Sequence, residues 1–177
     1  CAAFDGLVEK IRPSRIVAFG NSMGGTSALI FAGLRKVDAV LAIVPQYSVN
    51  RELVPEEKRW MHFREHIVEW RYPSVPVLSA DRGDIMVLHG GEAREMIHAR
   101  RFRCGPGVDH YVVPQYGHAL ALCLKNTRVL RPLMTNFLAG NMPEARAVLE
   151  AAGAIRFADH WQQRRKARRE RRNAAAV

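Results

Sequence analysis

The chain has 177 residues, 48% hydrophobic and 25% charged, which excludes a disordered or collagen-like polymer and suits one domain with its own core. The net charge of +10 is unevenly placed: seven of the 27 Lys and Arg lie in the last 17 residues, WQQRRKARRERRNAAAV, against a single Glu. No apolar run approaches the roughly 20 residues of a membrane-spanning helix, and the opening CAAFDGLVEK lacks the basic-then-apolar pattern of a signal peptide.

In chain order, RIVAFG at 15–20 reads as a short strand ending in Gly, and 23–35 as a helix with small residues at its start. DAVLAIVP at 38–45 is a second strand closed by Pro. The long connection 46–77 contains a helix-like stretch, about 55–70, with Trp60, Phe63, Ile67 and Trp70 at spacings of three and four. That stripe predicts a packed helix face, with Trp60, Trp70 and Tyr72 as a secondary choice for an apolar entrance. DIMVLHG at 84–90 and HYVVPQY at 110–116 complete about four strands. Residues 118–139 and 143–152 read as helices, and a basic helix starts near 157. Short apolar strands alternating with helices predict an α/β fold with a mainly parallel sheet flanked by helices. The expected division is an α/β domain over 1–156 and a basic helical tail over 157–177. The tail is a solvated helical end or a contact for nucleic acid or another anionic surface, and no aromatic residue follows Trp161 within it. Cys1, Cys104 and Cys123 form no disulfide or zinc pattern, so a reducing, cytoplasmic setting without metal or cofactor is expected.

The sharpest motif is Gly20-Asn21-Ser22-Met23-Gly24, followed by Gly25. It matches G-x-S-x-G, and a strand leads into it while a helix leads out, the context of a nucleophile elbow. Glycines are expected at both flanks where backbones pass closely. The Met23 N–H, at the start of the helix, would be one oxyanion donor. The spacing fits neither of the glycine-rich phosphate-binding motifs.

A serine nucleophile needs a base, and the base an orienting acid. His118 follows Gly117 just beyond the last predicted strand, so it shares the carboxyl rim of the sheet with Ser22. His89 sits at a strand end but points toward packing, and His110 lies at the amino end of its strand. His62, His66, His98 and His160 fall on predicted helices as surface residues. The acid should follow DIMVLHG on the same rim, which leaves Glu95 and Glu92, with Glu95 slightly preferred.

FGNSMGG at 19–25, VLHGG at 87–91 and YGHAL at 116–120 resemble the α/β-hydrolase superfamily over about residues 10–140, in its order of Ser, acid, His. The resemblance implies a partial α/β-hydrolase fold and a serine esterase acting on an ester or related acyl bond of a small molecule or glycan. VPQYSVNRELVPEEKRW at 44–60 is similar to a bacterial subgroup, some of it tied to glycan or cell-surface modification, that includes acyltransferases. A glycan O-acyltransferase and a catalytically inactive binding module are therefore the alternatives. The family pattern places several strands and an HG-type loop before the elbow. Here only about 14 residues precede the first strand, so the missing half of the fold, with its second oxyanion N–H, is expected from the full-length protein or another chain. An unpaired apolar strand edge follows from the same reading.

Overall fold

The structure, a computed structural model, describes residues 2–174. Five strands form one sheet in the spatial order of the chain: β1 (Val17–Asn21), β2 (Ala39–Ile43), β3 (Asp84–Gly90), β4 (Asp109–Val113) and β5 (Ile155–Arg156). The first four run parallel, as expected, and β5 adds an antiparallel edge. Two residues are too short a run for periodicity to reveal. Arg156 holds its place by packing over the Tyr111 ring, 4.6 Å from the centroid, and by pairing with Asp109 at 2.5 Å.

Alternate residues of the central strands feed two faces. Leu41, Ile43, Met86, Leu88 and Tyr111 pack against three helices, α5 (Leu120–Asn126), α6 (Leu130–Ala139) and α7 (Met142–Ala151). Val40, Ala42, Ile85 and Val87 pack against α2 (Met23–Leu34), with Val75, Leu78 and Phe102 from the connections. Burial on both faces is what near-continuous apolar strands require. The fold is thus helix–sheet–helix, of the α/β class. The helix expected over 118–139 is instead α5 and α6, broken where Arg128 adopts a left-handed φ of 62°. A first helix, α1 (Ala2–Ile11), buries no residue and is held to α2 by the Phe4–Phe31 ring pair and the Asp5–Arg35 ion pair. β1 pairs only with β2 among the described residues, and Phe19 on it is half exposed.

The connection 46–77, hereafter the strap, departs most from expectation. Its only helix is α3 (Met61–Arg64), a single turn entered through Trp60 in a left-handed conformation. The aromatic stripe does not pack as a helix face: Phe63 is 68% exposed and Ile67 and Tyr72 lie at the surface. The strap's buried residues include Glu57 and Arg64 instead. Pro55 and the left-handed Trp60 interrupt the helical path, so spacings of three and four no longer define one face.

α4 (Ala93–Ala99) follows β3, and α8 (Phe157–Ala174) closes the described chain. Residues 157–161 belong to the fold: Phe157 stacks on His110 with centroids 4.4 Å apart, and Trp161 stacks on Phe157 at 6.2 Å. Where described, the side chains beyond Trp161 are exposed; positions 175–177 of the predicted tail lie outside the described residues. Among the described residues, no helix is long and apolar enough to cross a membrane.

Candidate active site

Successive parallel strands each deliver one residue to the carboxyl rim. Ser22 follows β1, Gln46 follows β2, Glu95 lies in α4 after β3, and His118 follows β4. Ser22 sits between strand and helix at φ 54°, ψ −123°, a strained backbone for a residue with a side chain. Its N–H donates to the Ile43 carbonyl at 2.8 Å. Gly20 is required: a Cβ there would lie 2.2 Å from the Gly24 carbonyl. Gly24 is not, because a Cβ there meets nothing within 4 Å, so only one flank of the elbow has the predicted steric need. Asn21 ends β1, and Gly25 is buried against Pro45 and Ala42. Met23 is the first residue of α2, where a backbone N–H has no acceptor within the helix.

Ser22 Oγ lies 3.0 Å from His118 Nε2, and His118 Nδ1 lies 2.9 Å from Glu95 Oε1. The Glu95 carboxylate is fully buried, and its Oε2 has no partner among the described residues. Burial drives this carboxyl upward from the ordinary range, against the opposing charges of His118 and Arg59. The structure thus brings three of the sequence-nominated residues into one hydrogen-bonded chain. Glu92 does not join them: it is the N-cap of α4 and makes no hydrogen bond to His118.

Sequence reasoning missed Gln46. Its Nε2 donates to Ser22 Oγ at 3.0 Å, and the residue is 1% exposed. Thr26 clamps its backbone: Thr26 Oγ1 donates to the Gln46 carbonyl at 2.8 Å and accepts from the Gln46 N–H at 2.9 Å. Gln46 Oε1 is buried without a partner. With Oγ accepting from Gln46, its own hydrogen is free to point at His118 Nε2. The strand-end rule that singled out His118 also reaches Gln46, a polar residue just past Pro45.

The strap supplies a second polar group behind the imidazole. Arg59 Nη1 lies 3.0 Å from His118 Nδ1 and 3.5 Å from Glu95 Oε1. Its Nη2 and Nε grip the Glu57 carboxylate at 2.5 and 2.9 Å. Glu57 accepts in turn from His98 Nε2 at 2.7 Å, while His98 Nδ1 accepts the Tyr47 N–H at 3.2 Å. That backbone donor fixes the tautomer, so His98 is neutral and donates from Nε2. Burial lowers the His98 pKa and favours the same form. Burial works to raise Glu57, yet hydrogen bonds from Arg59 and His98 hold it down at about 2. The expectation of a surface His98 is therefore corrected: it is fully buried, because α4 turns it toward Glu57. His160 is also buried rather than at the surface. His89, expected in packing, is buried between the Pro45 carbonyl and His110.

His118 Nδ1 faces two groups with opposite demands. As a donor to Glu95 it leaves Nε2 free to accept the Ser22 proton. Arg59 can only donate, and satisfying it at Nδ1 would place the imidazole hydrogen on Nε2, against Ser22. Glu95 and Arg59 therefore bias the base in opposite directions. Among the described residues, no group of three or more His, Cys, Asp or Glu is placed to hold a metal ion. No family model, curated protein or solved structure matches the chain.

Proposed function

We propose that the chain is a serine hydrolase of the α/β-hydrolase type, acting on an ester or related acyl bond. The observation that carries this is the hydrogen-bonded chain Ser22–His118–Glu95, with Ser22 in strained backbone between β1 and α2. Ser22 Oγ attacks the acyl carbonyl while His118 Nε2 takes its proton. Glu95 holds the imidazole with hydrogen on Nδ1 and offsets the developing positive charge. The Met23 N–H, and the Gln46 amide turning from Oγ, are the donors for the carbonyl oxygen as it becomes an anion. Collapse expels the alcohol with the proton from His118. Water, activated by the same imidazole, then releases the acid and restores Ser22. A sugar hydroxyl in place of that water gives the acyltransferase variant.

The test is labelling with a fluorophosphonate, with the modified residue mapped by mass spectrometry. Labelling at Ser22, absent from His118→Ala, is expected. A folded protein that stays unlabelled, or that is labelled equally in both forms, overturns the reading.

A second reading, nucleic-acid contact through α8, rests on one observation. Trp161, Arg164, Arg165, Arg171 and Arg172 recur at helical spacing, all exposed, and none of the arginines is in an ion pair among the described residues. One aromatic ring beside a row of guanidinium groups suits a stacked base and its phosphates. Binding of a fluorescent single-stranded oligonucleotide that falls steeply with salt, and disappears when 161–177 are deleted, supports it. Salt-independent or absent binding excludes it.

A further inference from the structure

Outside the Ser22 site, the strap holds a buried cation without a counter-ion among the described residues. Arg64 is 7% exposed. Its Nη1 donates to the Glu57 carbonyl and its Nη2 to the Val54 carbonyl at 3.4 Å, and no carboxylate among the described residues pairs with it. Its Nε, also buried, has no partner. A guanidinium removed from water and given only neutral acceptors retains most of its desolvation cost. A buried donor left unmade calls for an acceptor that can arrive.

The space for one is beside it. Arg64 lines a pocket of about 420 Å³ together with Arg51, Lys58, Met61 and Pro55. Neither Arg51 nor Lys58 is engaged in an ion pair among the described residues. Two carboxylates on the lining, Glu52 and Glu65, are exposed and do not reach Arg64, and the Glu57 carboxylate is turned away to Arg59 and His98. The volume exceeds a bare ion and falls within the range of about 300–1,000 Å³ usual for small organic ligands. Met61 and Pro55 give it an apolar wall.

We propose that this pocket binds a small organic oxyanion, with its carboxylate or phosphate drawn to the buried Arg64 guanidinium that lines it, Arg51 and Lys58 adding charge at the mouth, and its apolar part against Met61 and Pro55. Its lining includes none of Ser22, Gln46, Glu95 and His118, so the site does not depend on serine chemistry.

Calorimetry of the purified chain at fixed ionic strength tests it with four probes: inorganic phosphate, phenyl phosphate, acetate and benzoate. Saturable binding of phenyl phosphate or benzoate is expected, severalfold tighter than phosphate or acetate respectively, and whichever aromatic probe binds identifies the anion. Arg64→Gln should weaken it at least tenfold. Because that variant removes a buried anchor of the strap, Arg51→Ala/Lys58→Ala provides a surface control that should lose severalfold affinity with unchanged circular dichroism. Ser22→Ala should bind normally. No saturable binding by any probe overturns the proposal, as does affinity unchanged in the surface double variant or lost in Ser22→Ala.

Discussion

The central strands and the strap differ in what they enclose. Strands β2 and β3 enclose Leu41, Ile43, Met86 and Leu88 with no exposure, whereas the strap encloses Glu57 and Arg64 and leaves Phe63 and Val68 in solvent. Apolar burial is non-directional and roughly proportional to area, so those strand residues need no particular partner. Buried charge is held only by particular partners at particular distances, as Arg59 and His98 hold Glu57. The difference teaches that the rim positions Ser22 and His118 on an apolar scaffold, while the strap contributes a polar network held by particular partners.

The largest effect tests the junction of the two regions. Glu95→Gln keeps the shape but removes the charge that orients His118 and leaves Arg59 to set the tautomer, so ester turnover should fall by about 10⁴-fold. Arg59→Gln should cost far less, since it removes the competing donor. Steady-state kinetics on an activated ester compares them, and equal losses would show that the strap is as necessary to the base as the rim.

Next come the two kinds of packing. Phe137→Ala, in the fully buried cluster between sheet and helices, should lower the unfolding free energy by about 3–5 kcal/mol. Phe63→Ala, 68% exposed in the strap, should change it by less than about 0.5 kcal/mol. Urea unfolding of the two variants measures the contrast directly. Gln46→Ala should reduce kcat by about 10²–10³-fold with little change in KM if its amide meets the oxyanion. A change confined to KM would restrict Gln46 to positioning Ser22.

The response to acid should separate the buried histidines from the buried carboxylate by pH. In the sheet, His89 Nε2 donates to the Pro45 carbonyl at 3.1 Å, leaving its Nδ1 to accept from His110 Nε2 at 3.0 Å. His89 is thereby neutral, and so is His110 with its Nδ1 accepting from the Cys104 thiol at 3.7 Å. Burial lowers the His110 pKa from 6.5 to about 3. A depressed histidine contributes stability that is complete above 6.5 and lost as pH falls toward 3. About 1 kcal/mol should be gone by roughly pH 5.5 from this ring alone. Glu57 in the strap, lowered from 4.5 to about 2, begins to lose its contribution only below 4.5. Urea midpoints should therefore decline in two stages, and His110→Gln should diminish the first, which His89 and His98 share, without altering the second.

Much of the rim was legible because parallel strands put their following residues on one edge, and four apolar runs marked the strands. Choosing Glu95 over Glu92 needed the turn of α4: Glu92 caps the helix, whereas Glu95 faces inward to His118. The strap was misread because Trp60, Phe63 and Ile67 have the spacing of a helix face, while the interactions that order it, Glu57 with Arg59 and His98, join residues as far as 41 positions apart. His98 likewise looked like a surface residue, since its partner lies in another segment.

The sequence by itself determined the α/β class, the mainly parallel sheet, and the placement of Ser22 and His118 at strand ends. Those follow from local periodicity and from glycine and proline boundaries, which act over a few residues. Only the tertiary structure decided that Glu95 reaches His118, that Gln46 reaches Ser22, and that charged rather than aromatic side chains fill the strap. Each depends on hydrogen bonds between segments distant in the chain, where partner and distance, rather than residue type, set the energy.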